Sequence, residues 1–255
     1  MKIHTIIIIL LIIIVIITNM FPKLTKTLPF LNLDIFNMSE DIRYVFWTGG
    51  YDSTFRICEL LIIEKLPVQP IYISYNLDSE KKSDLWVRKN RKQEKDAMKK
   101  IRKILNIRFP YTKDLFKKTI YITKNIKDTK YNNKFLELKL WPTKRKIHQY
   151  NHLGKISFRK KIYIDTGVLG LKKTSEFGKF LNTHIQPNNR LNVSKDNPLH
   201  YLCFPLLNKT KKQLCDISKN NNFHDIIRVS WSCWFPINNK PCHKCPMCIE
   251  RFQCN

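Results

Sequence analysis

The chain has 255 residues, of which 43% are hydrophobic and 12% aromatic. This composition is sufficient for one α/β domain of ordinary size with a substantial core, and it excludes a chain that is disordered throughout. The formal net charge of +26 favours an anionic partner, such as a nucleic acid, a nucleotide or an acidic lipid surface, although an AT-rich genome would also encode a lysine-rich chain.

The first feature along the chain is an apolar run at residues 6–17, in which no side chain is polar. With its flanks, residues 5–20 would form a helix of about 24 Å, which is short for a membrane span. A cleaved signal peptide is one alternative, but the residues that follow the run offer a poor cleavage site. A buried strand or core helix is the other, but such an element is rarely hydrophobic on all sides at the extreme terminus. We therefore expect a transmembrane or signal-anchor helix at residues 1–22, followed by a linker at residues 23–41.

Short apolar runs then alternate with amphipathic helical patterns over residues 42–228. The predicted strands are residues 43–47, 68–75, 120–123 and 161–165, and the predicted helices are residues 55–65, 86–105 and 213–221. Residues 124–160 are basic and irregular, and no element is predicted for them. Strands and helices in alternation predict an α/β fold with a doubly wound parallel sheet.

The first predicted strand runs directly into the glycine loop, Thr48-Gly49-Gly50-Tyr51-Asp52-Ser53-Thr54, which opens the first predicted helix. Two glycines at such a junction allow backbone N–H groups to approach an anion, and the helix N-terminus adds its dipole. Hydroxyl groups of Thr48, Ser53 and Thr54 can donate to a phosphate, and Asp52 can hold a Mg²⁺ ion bound to that phosphate. The alternative is an ordinary tight turn with a helix cap.

Four of the eight cysteines stand close together near the C-terminus: Cys233, Cys242, Cys245 and Cys248. Two C-x-x-C steps with one upstream cysteine supply four thiolates in the pattern that a structural Zn²⁺ ion requires. An iron–sulfur cluster and a set of reactive thiols are the alternatives. The remaining cysteines are scattered, which favours a reducing compartment over a disulfide framework. Residues 229–255 are therefore predicted to be a zinc-binding tail.

Three segments, in this order, resemble the 7-cyano-7-deazaguanine synthases, which are PP-loop ATP pyrophosphatases. The string TGGYDS at residues 48–53 resembles their SGGxDS pyrophosphate loop. Phe204-Pro205-Leu206-Leu207 with Thr210-Lys211 resembles their Pro-Leu and Thr-Lys segment. The string VSWSCW at residues 229–234, followed by PCHKCPMCIER, resembles their C-terminal zinc segment.

The resemblance implies a ligase of queuosine biosynthesis that uses ATP to convert 7-carboxy-7-deazaguanine and ammonia to the nitrile, with release of AMP and pyrophosphate. It implies that Asp52 holds Mg²⁺, and that Lys211 neutralises the departing pyrophosphate. Asp52, Ser53 and Lys211 are then the catalytic residues. The implied ATP-binding residues are those of the glycine loop: Thr48, Gly49, Gly50, Asp52, Ser53 and Thr54.

Two other functions fit the same sequence. A PP-loop enzyme that modifies tRNA would use the positive charge to bind the RNA backbone. A scaffold or nucleic-acid-binding protein that bears zinc would keep the fold without turnover. Because ATP and zinc thiolates both suit a reducing compartment, the body is expected on the cytosolic face of a membrane that residues 5–20 would anchor. An oligomer is compatible with this organisation.

Overall fold

The structure is a computed structural model, and it describes residues 42–74, 90–123, 126–140, 149–170 and 176–251. The chain divides into two compact units, Met1–Ser39 and Glu40–Asn255, and every described residue belongs to the second. The predicted N-terminal helix and most of the predicted linker therefore fall in the first unit, and both lie outside the described residues. Among the described residues, none of the helices has the length and apolar character needed to cross a membrane.

In the described residues, the body is built on a sheet of five parallel strands in the order β3-β2-β1-β4-β5. The strands are β1 (Arg43–Phe46), β2 (Val68–Ile73), β3 (Ile120–Ile122), β4 (Ile164–Asp165) and β5 (Leu202–Cys203). Arg43 of β1 lies opposite Val68, and Tyr44 of β1 lies opposite Ile164. The strand order reverses between β1 and β4, and in open α/β sheets the carboxyl ends at such a reversal border the ligand crevice.

Helices fill the connections between these strands. In the described residues they are α1 (Tyr51–Cys58), α2 (Arg91–Arg108), α3 (Thr112–Leu115), α4 (Thr129–Glu137), α5 (Gln149–Lys160), α6 (Glu176–His184), α7 (Lys211–Asn220), α8 (His224–Arg228) and α9 (Pro246–Arg251). A π-helical turn, Glu59–Ile63, extends α1. Lys65 then takes a left-handed conformation with φ of 54°, and the chain turns before Pro67 toward β2.

The main core lies between the sheet and the helices α1, α2 and α8. Trp47, directly after β1, packs on Phe116 with ring centroids 5.2 Å apart. Phe55 of α1 packs on Phe223 with ring centroids 5.8 Å apart. Both Phe55 and Phe223 are fully buried. Packing of these apolar side chains therefore fixes the position of the junction between β1 and α1.

The predicted parallel α/β sheet is confirmed, with differences at the ends of its elements. β4 begins at Ile164 instead of residue 161, because Lys161 is left-handed, with φ of 53°, and ends α5. β5 is missing from the prediction because it has only 2 residues. α4 and α5 occupy part of the region without predicted elements. α7 begins at Lys211, since Thr210 and Gln213 form a capping box.

Candidate functional site

The glycine loop has a backbone that only glycine suits at one position. Gly49 has φ of 70°, a left-handed conformation that other residues adopt at a cost. A β-carbon on Gly49 would also lie 2.7 Å from the carbonyl oxygen of Glu94 in α2. Gly50 is the N-cap of α1. The first N–H groups of α1 therefore have no acceptor within the helix and can bind an anion.

The hydroxyl groups of the loop form long hydrogen bonds with one another. The Thr48 N–H donates to Ser53 Oγ at 3.3 Å, and Ser53 Oγ donates to the Gly50 carbonyl at 3.3 Å. Thr48 Oγ1 and Ser53 Oγ lie 3.4 Å apart. Hydrogen bonds of this length are weak. Both hydroxyl groups can therefore exchange these partners for the oxygen atoms of a bound phosphate.

Thr54, which the sequence places in the same site, belongs to the core instead. Its side chain is fully buried, and its hydroxyl accepts a hydrogen bond from Trp47 Nε1 at 3.1 Å. Its N–H donates to the Gly50 carbonyl at 2.9 Å. The Thr54 hydroxyl therefore has a partner in the core, and the predicted contact of Thr54 with a nucleotide stays a prediction.

Two predicted residues that are distant in sequence meet beside the loop. Asp52, in the first turn of α1, forms an ion pair with Lys211, the first residue of α7. The Lys211 ammonium also lies 4.7 Å from the centroid of the Tyr51 ring. Burial raises the pKa of Asp52 above its ordinary value, and the charge of Lys211 opposes that rise. The pair therefore places one carboxylate and one ammonium at the N-terminus of α1.

The segment after β4 packs against the glycine loop. A β-carbon on Gly167 would lie 2.9 Å from the backbone nitrogen of Ser53 and 3.2 Å from the carbonyl carbon of Asp52. Thr166 is buried, and its hydroxyl donates to the Cys203 carbonyl at 2.9 Å. The sequence prediction does not include Gly167 in the site. The sequence feature that could have identified Gly167 is its position, two residues after the predicted end of a strand at Asp165.

An ion-pair network around the buried Arg56 and Asp165 holds β4 against α1. Arg56 Nε donates to Asp165 at 2.8 Å, and Arg56 Nη1 donates to Glu59 and Glu64, each at 2.6 Å. Burial opposes the charged form of Arg56, but the three carboxylates together keep its pKa above the ordinary value. Loss of Arg56 would leave the buried carboxylate of Asp165 without compensation. The network therefore fixes the position of the Asp165–Gly167 segment beside the glycine loop.

The four cysteines predicted as metal ligands come together in the structure. Their sulfur atoms all lie within 4.8 Å of one another, and three of the four residues are buried. A tetrahedral ion with Zn–S bonds of about 2.3 Å holds its sulfur atoms about 3.8 Å apart. The Cys242 and Cys248 sulfur atoms lie 4.0 Å apart. This donor set fits one four-coordinate zinc ion with no open position, which is the arrangement of a structural site.

The thiol groups of this cluster differ in how readily they ionise. The backbone N–H of Lys244, together with that of Cys245, lowers the pKa of Cys242 to about 6. Burial raises the pKa of Cys248 to about 12. A thiol held protonated by burial becomes a metal ligand when the charge of a cation compensates its ionisation. The cluster is therefore expected to bind its ion more weakly as the pH falls.

The cysteine tail, residues 229–251, is hydrogen-bonded to the glycine loop. The Trp231 N–H donates to the Gly49 carbonyl at 2.8 Å, and Trp231 Nε1 donates to the Cys233 carbonyl at 2.8 Å. Arg251 of α9 donates to the carbonyls of Arg228 and Ser230. Trp231 therefore contacts both the backbone of the glycine loop and the first clustered cysteine, a connection that the cysteine spacing does not reveal.

A comparison with protein families finds one that covers the whole of this arrangement. The family model described as QueC: Queuosine biosynthesis protein QueC matches residues 44–254. The matched range includes the glycine loop, Gly167, Lys211 and the four clustered cysteines. No curated protein matches the chain.

Proposed function

Because the chain belongs to the QueC family of queuosine biosynthesis proteins, we propose that it uses ATP to activate the carboxylate of a deazapurine. Membership of the family supports ATP-dependent synthesis of a queuosine precursor. The finer proposal is the conversion of 7-carboxy-7-deazaguanine and ammonia to the corresponding nitrile. The observation that carries it is the meeting of the glycine loop, Asp52 and Lys211 at the carboxyl ends of β1 and β4.

The glycine loop supplies the groups that would hold the β- and γ-phosphates. The N–H groups in the first turn of α1 and the hydroxyls of Thr48 and Ser53 are hydrogen-bond donors that lie close together in the chain. Gly49 and Gly50 allow the backbone to approach the phosphates, since neither presents a side chain to them. Donors fixed in advance in this way stabilise charge without reorganisation during the reaction.

Asp52 and Lys211 would exchange partners when the nucleotide binds. Asp52 suits Mg²⁺, because this ion is usually held by one or two carboxylates together with phosphate oxygens. When bound, the ion would offset the negative charge of the triphosphate. The phosphates offer Lys211 another anionic partner, so its ammonium would leave Asp52 and contact them. The same ammonium would then stabilise the charge that builds up as pyrophosphate departs.

The reaction that follows is a transfer of AMP to the substrate. A carboxylate oxygen of the deazapurine attacks the α-phosphorus, the bond to the β-phosphate oxygen breaks, and pyrophosphate leaves. Ammonia then displaces AMP and gives the amide. A second adenylation of the amide oxygen allows loss of AMP and a proton to form the nitrile. Cys233, Cys242, Cys245 and Cys248 would hold zinc away from this chemistry, as a structural site.

The test is product analysis with the full chain. ATP, Mg²⁺, 7-carboxy-7-deazaguanine and ammonium should together give AMP, pyrophosphate and the nitrile, and omission of the deazapurine should suppress all three. Pyrophosphate release that requires tRNA instead would establish a tRNA-modifying activity. A folded, zinc-loaded protein that shows no ATP binding by calorimetry would contradict the proposal.

A further inference from the structure

We propose that α2 and the adjoining edge of the sheet form a binding surface for single-stranded nucleic acid, a function beyond the ATP chemistry. This surface, the lysine face, consists of Lys92, Lys99, Lys103, Lys118 and Tyr121. It combines a row of exposed positive charges with an exposed aromatic ring.

The first part of the lysine face is the solvent side of α2. The opposite side is buried and consists of Glu94, Ala97, Met98, Ile101 and Leu105. Lys92, Lys99 and Lys103 are all exposed, and their spacing places them on one side of the helix, over about 16 Å of its length. The exposed acidic residue Asp96 lies on the same solvent side of α2.

These positive charges are not neutralised by any acidic group among the described residues. In the part of the chain that the structure describes, Lys92, Lys99 and Lys103 form no ion pair. They therefore do not stabilise the fold by neutralising acidic groups. Uncompensated lysines in a row can neutralise successive phosphates, and the release of counterions then drives binding.

The second part of the lysine face is the edge strand β3 and the segment before it. Tyr121 is 45% exposed, and the Lys95 ammonium lies 5.6 Å from the centroid of its ring. An exposed aromatic ring beside positive charge provides a platform on which an unpaired base can stack. Arg102 donates to the carbonyls of Phe116 and Lys117, so α2 and the segment that carries Lys118 are held together.

Helix α2, which carries three lysines of the lysine face, contacts the carboxyl edge of the sheet and the cysteine tail. Lys95 Nζ donates to Ser74 Oγ at 3.3 Å, and Ser74 directly follows β2 at the carboxyl edge of the sheet. Gln93 Nε2 donates to Asn239 Oδ1 of the cysteine tail at 3.0 Å. A strand bound along the lysine face would therefore lie next to the edge of the sheet that carries the glycine loop.

An anionic membrane is the competing partner for a lysine-rich helix. A helix that lies in a membrane surface inserts its apolar side among the lipids, whereas the apolar side of α2 is buried in the core. The exposed tyrosine at the edge of the sheet is also better suited to a flat base. Lysine acts on phosphate as a point charge without the two-pronged geometry of arginine, so binding should depend little on base sequence.

The experiment measures the binding of the full chain to a short labelled RNA single strand by fluorescence anisotropy at several salt concentrations. The variant Lys92→Gln/Lys99→Gln/Lys103→Gln is compared with Lys130→Gln/Lys195→Gln/Lys219→Gln, which removes the same charge from exposed lysines elsewhere. At about 0.1 M salt the first variant should bind roughly 100-fold more weakly, and its slope of log K against log salt should fall by about 2. The second variant should stay near wild type.

Tyr121→Leu tests the stacking part of the proposal. It should weaken binding to the RNA single strand and to a DNA strand of the same sequence by about tenfold, and leave binding to a duplex unchanged. Equal losses in the two lysine variants would overturn the proposal, as would tighter binding to phosphatidylserine vesicles than to RNA. Turnover of ATP should stay normal in all these variants, so their binding results do not depend on the proposed reaction.

Discussion

The glycine loop and the cysteine tail hold their shapes by different means. The loop lies on a large apolar core, and the backbone of α2 and the Gly167 segment close over it. Among its described residues, the tail has a small cluster of its own, three buried cysteines with Trp231, Phe235, Cys242 and Met247 around them. A core of that size cannot offset the entropy of ordering the chain. The loop is therefore expected to be formed before its ligand binds, whereas the tail requires its ion.

The largest expected effect separates the two regions directly. Cys245→Ser removes one of the four ligands, and structural zinc contributes on the order of 10 kcal/mol to folding in small zinc domains. We expect zinc to be lost and amide protection to disappear over the cysteine tail, while the sheet keeps its protection. Metal analysis and hydrogen exchange measure these changes. Cys254→Ser is the control and should keep its zinc; full zinc occupancy in Cys245→Ser would refute the assignment of the ligand.

The next largest effect concerns the chemistry of the glycine loop and leaves the fold unchanged. Asp52→Asn keeps the size of the side chain and removes the charge that would hold Mg²⁺. Turnover should fall on the order of 10³-fold, the range found when one electrostatic contact to a reacting group is lost. Circular dichroism and zinc content should match the wild type. A variant with normal turnover would show that Asp52 holds no essential ion.

Lys211→Met should reduce kcat/KM on the order of 100-fold and also change its pH dependence. Burial raises the pKa of Asp52, and Lys211 opposes that rise. Without Lys211 the pKa of Asp52 rises further, so the carboxylate becomes protonated at a higher pH as the solution is acidified. The acidic limb of the pH profile should therefore move to higher pH. Lys212→Met, at the exposed neighbouring residue, should leave the limb in place.

A smaller effect tests the close contact between Gly167 and the glycine loop. The β-carbon in Gly167→Ala would meet the backbone of Ser53 at 2.9 Å, a contact that only a displacement of the loop can relieve. A shift of a few tenths of an ångström should reduce kcat/KM roughly tenfold, since positional errors of about 1 Å cost about 100-fold. In Gly170→Ala the nearest atom would be 3.5 Å away, an ordinary contact, so its kinetics should be normal.

The two regions also differ in what their sequences could predict. All four clustered cysteines fall within residues 233–248, so their spacing alone was sufficient to predict that they come together. The partners of the loop come from distant elements: Gly167 follows β4, and Glu94 belongs to α2. Their contacts depend on the strand order, which hydrophobic periodicity does not specify. Thr54 shows the same limit, because residue type identifies a hydroxyl group without giving its direction.

The smallest expected effect tests whether the two regions are coupled. Trp231 joins them, with its N–H on the Gly49 carbonyl and its indole on the Cys233 carbonyl. If zinc orders Trp231, removal of the zinc should weaken the binding of a non-hydrolysable ATP analogue. The expected factor is about fivefold, which corresponds to one hydrogen bond of about 1 kcal/mol. Calorimetry with and without a zinc chelator measures this factor.

Coupling between two binding equilibria is reciprocal, so the ATP analogue must raise zinc affinity by the same factor. Competition for zinc with a chelating dye, with and without the analogue, measures that second factor. Trp231→Phe keeps the N–H that bonds Gly49 and removes the indole bond to Cys233, so both factors should fall toward 1 together. If the two regions are independent, both factors will be 1 in the wild type as well, and zinc will stabilise the tail without affecting the glycine loop.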